Sequence, residues 1–208
     1  MRHCTLLITK VALGLALVLC ARPVIAQLAF SESLLGGEGF YDSMAASDGI
    51  GSISYDGGTP GNLRFGGNEP VTIFMKFDLG APVGDAAIST GGDIASNTVG
   101  AGAGGYMDVG SGLNGAGDGL VNGTRLITQG AGGDWPDLAS VDITAAVSGS
   151  SEVWIAMHAN QDSWRQYGTR IYANATLNVS GNTVPEPASA ILLSSGLTCL
   201  MLLMRRRK

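Results

Sequence analysis

Cysteine, histidine and basic charge are scarce in this chain of 208 residues, and each shortage closes off a class of chemistry. The three cysteines, Cys4, Cys20 and Cys199, lie in the two apolar end segments, so residues 27–183 hold none. That stretch therefore has no disulfide framework, no cysteine metal site and no thiol nucleophile. His158 is its one histidine, so a Ser-His-Asp triad or histidine metal site would have to be built around that side chain alone. The reading preferred for His158 is a hydrogen-bonded or solvent-facing structural residue. Of twelve lysines and arginines only Arg64, Lys76, Arg125, Arg165 and Arg170 fall between residues 27 and 184, against sixteen acidic side chains. The whole-chain charge of −5 thus becomes −11 over this stretch. Such a surface repels phosphate backbones and anionic membranes, which excludes nucleic acid as a partner and leaves calcium, neutral sugars and cationic partners.

The hydrophobic runs sit at the ends. Arg2, His3 and Lys10 flank or precede an apolar stretch at 11–20, and Val24, Ile25 and Ala26 offer small residues at a signal-peptidase site. Cleavage after Ala26 is expected, making residues 1–26 a signal peptide. A lipoprotein signal would lipidate Cys20, but Leu19 before it is too large for the usual site. At the other end residues 188–204 carry no charge. A helix of that length reaches about 26 Å, enough to cross a bilayer core. Arg205, Arg206, Arg207 and Lys208 follow as a cytoplasmic membrane stop. Before the helix, Val184, Pro185, Glu186 and Pro187 form an extended segment, because both prolines fix φ and restrain the residues preceding them.

The order Pro185-Glu186-Pro187, apolar helix, terminal arginine cluster resembles the PEP-CTERM sorting signal of Gram-negative bacteria. The resemblance covers residues 184–208. It implies recognition by a membrane-embedded exosortase, removal of the helix after transient inner-membrane anchoring, and delivery of the upstream domain to the cell envelope or extracellular matrix.

Residues 27–183 form one domain long enough to bury a core. In "VTIFMKFDL", Val71, Ile73, Met75, Phe77 and Leu79 share one face while Thr72, Lys76 and Asp78 fall on the other, the period of a half-buried strand. Val153, Ile155 and Met157 repeat the pattern, as do Leu177 and Val179. Shorter strands are expected at 51–55, 63–66, 106–109, 125–129 and 166–172. The one helical turn expected is 143–148, started by Asp142 as cap. Fifteen of the residues between 91 and 133 are glycine; glycine-rich strands and long loops are preferred to a disordered linker, with Tyr106, Met107, Val109, Leu113, Leu120 and Val121 spaced to face a core. The fold expected is all-β, an antiparallel β-sandwich or jelly roll, with an N-terminal signal helix and a C-terminal transmembrane helix.

The segments "NLRFGGNEPVTIFMKFDL" and "SVDITAAVSGSSEVWIAMHANQDSWRQYGTRIYANATLNV" are similar to the DNRLRE family of secreted β-sandwich modules. Ile171 departs from that family's pattern, where an acid would follow Arg170. The similarity implies a jelly-roll module suited to binding or scaffolding and carries over no functional residue.

For chemistry, Asp134 and Asp137 flank Trp135 and offer a carboxylate pair for a glycan-cleaving alternative, although Pro136 makes the stretch read first as a turn. For binding, Trp135, Trp164 and Tyr167 are the candidate glycan-stacking residues, with Asn160, Gln161 and Asp162 as polar neighbours. Trp154, among apolar neighbours on a strand, is expected in the core. Asp42, Asp48, Asp56, Asp108 and Asp118 supply hard oxygen ligands that suit structural calcium, without EF-hand spacing. The overall expectation is a non-enzymatic exported protein that binds extracellular polysaccharide or structures a biofilm, with a ligand-free structural surface protein as a further alternative.

Overall fold

The computed structural model describes residues 26–35, 44–48, 52–56, 62–66, 70–97, 104–160 and 169–184. Outside them lie residues 1–25 of the signal segment, Asp42, Gln161, Asp162, Trp164, Tyr167, Pro185, Glu186, Pro187, the apolar run 188–204, and Arg205, Arg206, Arg207 and Lys208. Among the described residues no helix is long and apolar enough to cross a membrane.

Alternating apolar residues build two facing layers in which every described strand pair is antiparallel. The first layer is a five-stranded sheet in the order β11 (Thr124–Gln129), β8 (Gly105–Gly110), β14 (Glu152–Ala159), β5 (Val71–Asp78), β2 (Met44–Asp48). The second consists of two sheets. One is β1 (Gln27–Ser33), β16 (Thr176–Thr183), β6 (Val83–Gly91), β13 (Val141–Asp142); the other is β12 (Gly133–Asp134), β7 (Ala95–Asn97), β15 (Thr169–Ile171), β4 (Asn62–Gly66), β3 (Ser52–Asp56). A short hairpin pairs β9 (Gly112–Leu113) with β10 (Leu120–Val121).

The two sheets of the second layer are one layer interrupted at a common level. Strand β6 leads into β7, β15 into β16, and β12 into β13, and each sheet keeps the same neighbours side by side. At the break Gly92 has φ 69° and lies against the carbonyl of Asn174. An L-residue is disfavoured at that φ, and the approach leaves no room for a Cβ.

Inward residues of both layers join one apolar cluster: Ile73, Met75, Phe77, Val153, Ile155 and Met157 from the first, and Leu63, Phe65, Ile88, Ile171, Leu177 and Val179 from the second. Each such side chain contributes about 1.5–3 kcal/mol when fully buried. Phe30 meets Phe77 edge-on, with centroids 6.3 Å apart.

The expected alternation is present in β14 and β16; in β5 the apolar face is as expected, but Thr72 and Phe74 on the opposite face are buried too, so the strand is half-buried only from Lys76 onward. The expected short strands appear within a few residues of their predicted bounds. The glycine-rich stretch from 104 onward forms β8 to β12, yet of the six residues expected to face a core only Met107 and Val109 are buried, and Val121 is exposed. The helical turn is α1 (Thr144–Val147), where Asp142 accepts a bond from the Thr144 N–H at 2.9 Å. Strand β6 escaped the sequence pattern because the register shifts opposite Asn182 and Thr183 of β16, where Gly84 of β6 is passed over, placing the buried residues of β6 at Val83, Ala86 and Ile88 rather than at every second position.

Candidate functional site

Because Val153, Ile155 and Met157 point into the core, strand alternation puts Glu152, Trp154, Ala156 and His158 on the outer face of the first layer. Register then lines up three cross-strand rows: Tyr106–His158–Thr72, Asp108–Ala156–Phe74, and Gly110–Trp154–Lys76. Arg125 stands opposite Asp108 on the edge strand β11.

The first row is a stacked column. The Tyr106 and His158 rings are 4.4 Å apart and 12° from parallel, and the Arg125 guanidinium carbon lies 3.5 Å from the centroid of Tyr106. Such a cation–π contact is worth about 0.5–2 kcal/mol. His158 Nδ1 and Thr72 Oγ1 share a hydrogen bond of 2.8 Å. Asp108 fixes the guanidinium by accepting from Arg125 Nε and, at 3.3 Å, from Nη2.

The third row holds Trp154, half-buried on the outer face rather than in the core as expected. Its Nε1 donates to Glu152 Oε2 at 2.9 Å, and the other carboxylate oxygen accepts from Lys76 Nζ at 3.2 Å. The indole is thereby held by a charge-assisted bond, opposite a residue without a side chain. The space outside Gly110 is taken by Leu120 and Val121, so the β9–β10 hairpin stands over the sheet beside this row. Toward β5 the face closes: Phe74 is 1% exposed and Thr72 6%. The accessible part lies over β11, β8 and β14.

Glu152 is held below its ordinary carboxylate range chiefly by the Trp154 N–H, and further by the hydrogen bond and charge of Lys76. The ionised form is the one stabilised, so the contribution is complete above the ordinary value and disappears as pH falls through the lowered one. An NMR titration of the Glu152 carboxyl should show a depressed midpoint that rises in Trp154→Phe; an unchanged midpoint would remove the indole as its cause.

Trp135 requires a correction. It is 3% exposed, and its indole reaches across to the first layer, where a Cβ on Gly105 would lie 2.8 Å from Trp135 Cζ2. Its Nε1 donates to Asn97 Oδ1 at 2.8 Å. It is a core residue and offers no face to a sugar. Asp134 and Asp137 therefore do not flank an open platform; both are exposed, and Asp134 accepts from the Tyr172 hydroxyl at 3.3 Å. Of the other candidate binders, Trp164 and Tyr167 lie outside the described residues. Of the aspartates considered for calcium, Asp108 is engaged by Arg125 and Asp118 accepts from the Asn114 amide at 2.8 Å. Among the described residues no group of three or more His, Cys, Asp or Glu could hold a metal ion.

Tyr106, Arg125, Lys76 and Glu152 had not been singled out from the sequence as site residues. The signal that could have found the strand members was the alternation of β14, which places Trp154 with His158 and away from Ile155.

No protein-family model and no curated protein matches the chain. Among solved structures it is similar to TmCBM61 in complex with β-1,4-galactotriose, with 10% identity over 76% of this chain and 99% of that one, and a TM-score of 0.35. It is also similar to the Podospora anserina GH26-CBM35 β-(1,4)-mannanase, with 12% identity over 77% of this chain and 29% of that one, and a TM-score of 0.28. Similarity at these scores transfers neither a fold family nor a ligand.

Proposed function

We propose that the domain is a non-enzymatic polysaccharide-binding module of an exported protein, and that it binds on the outer face of the first layer. The observation that carries this is Trp154, an outward indole anchored through Nε1 to Glu152 with its row bordered by a raised hairpin. A fixed aromatic ring takes the C–H face of a sugar at little entropic cost, while neighbouring carboxylates accept its hydroxyl donors. Trp164 and Tyr167 belong to the segment that follows β14 in the chain and extend the same reading. Export through signal peptidase at Ala26, exosortase processing at Val184, Pro185, Glu186 and Pro187, and residence in the envelope or matrix complete the proposal. The terminal motifs support that part.

The test is affinity electrophoresis of the full chain, held in a polyoxyethylene detergent, through gels containing the producing cell's own extracellular polysaccharide. Retardation is expected, and Trp154→Ala should weaken it about tenfold or more. Equal migration in gels with and without polysaccharide would reject the proposal.

A further inference from the structure

Resting on the reading just given, we infer that the polysaccharide bound at the Trp154 face is uncharged. Both cations paired there are already committed. Arg125 carries Asp108 on one side and lies on the Tyr106 ring on the other, and Lys76 is bound by Glu152. These side chains remain 46% and 41% exposed, so a ligand can reach them. A uronate or sulfate seeking either one, however, must displace an internal carboxylate that register holds directly across the strand or one residue row away. It must also approach a domain with five basic and sixteen acidic side chains between residues 27 and 184. Both terms oppose an anion, and the second acts at long range.

A neutral sugar meets neither obstacle. Its C–H face needs only the indole, and its hydroxyls can donate to outward oxygens of Glu152 and Asp108, both of which keep their own partners. Glu152 is well suited to accept, because Trp154 and Lys76 favour its ionised form. A cationic chain would be attracted by the net charge at any point of the surface, without needing Trp154, and salt would weaken it.

The test divides the cell's extracellular polysaccharide by anion exchange into uncharged and acidic fractions and repeats the electrophoresis in each, at low salt and at 0.5 M NaCl as a screening condition. Retardation is expected in the uncharged fraction, changed less than about twofold by salt and lost in Trp154→Ala, since no ion pair with the ligand is formed. Retardation confined to the acidic fraction, or abolished by salt, would overturn this inference while leaving polysaccharide binding in place. No retardation in either fraction would overturn both.

Discussion

Replacing Asn97 with leucine is expected to lower the stability of the domain by about 3–5 kcal/mol, since each buried polar group left without a partner costs about 1–3 kcal/mol and such costs add incompletely. The Asn97 amide is buried and fully used. Its Oδ1 accepts from Trp135 Nε1 at 2.8 Å and from Thr169 Oγ1 at 3.0 Å, while its Nδ2 donates to the carbonyls of Gly130 at 2.7 Å and Gln129 at 3.3 Å. Gln129 ends β11 in the first layer, whereas Asn97 and Thr169 belong to the second, so one side chain ties the layers together. Leucine fills a similar volume and removes all four bonds. For a domain of this size a loss of that magnitude corresponds to a fall of roughly 10 °C in Tm. Trp135→Phe serves as the comparison, because it deletes one donor and part of a ring, and it should be less damaging than Asn97→Leu. A leucine variant melting within 2 °C of the parent, read by circular dichroism as a shift below about 1 kcal/mol, would show that this amide does not join the layers.

The same amide shows where sequence reading reaches its limit. In β5 and β14 the period-two pattern is carried by residues that see one core and one outer face, so local order was enough to place Val71, Ile73, Met75, Phe77, Val153, Ile155 and Met157. Trp135 was read as an exposed platform because its neighbours, Asp134, Pro136 and Asp137, are turn residues. What buries it is remote in the chain: Asn97 supplies the acceptor and Gly105 supplies the space. Neither partner is visible without the register that pairs β7 with β12 and β8 with β14. Trp154 was misplaced for the opposite reason. Its apolar neighbours suggested burial, while the alternation of those neighbours already put it outside. Strands β1 and β6 were missed because few of their residues are large and apolar, and a bulge breaks the spacing in β6.

Gly92→Ala is expected to cost at least as much as Asn97→Leu, about 3 kcal/mol or more, because two separate effects add at one position. The backbone there has φ 69°, a region costing a non-glycine residue about 1 kcal/mol or more. The alanine Cβ would also overlap the carbonyl oxygen of Asn174, which is backbone and cannot swing aside. Relief must come from separating the β6–β7 break from the β15–β16 break, two of the three places where the second layer is interrupted. Thr176 Oγ1 donates to Gly91 O at 3.2 Å and the Tyr172 N–H to Ile94 O at 3.1 Å, so the bonds flanking the contact would be strained together. Hydrogen exchange gives the most specific reading. In Gly92→Ala the amides of Tyr172 and Ala175 should lose protection before those of Ile155 and Met157 in the first layer. Replacement at Gly80, which also has positive φ (76°) but has nothing within 4 Å of its Cβ position, separates the two effects. Gly80→Ala should show only the conformational cost, about 1 kcal/mol. Equal losses in the two variants would mean that the close approach of Gly92 to Asn174 adds nothing, and that the junction of the two sheets in the second layer does not depend on it.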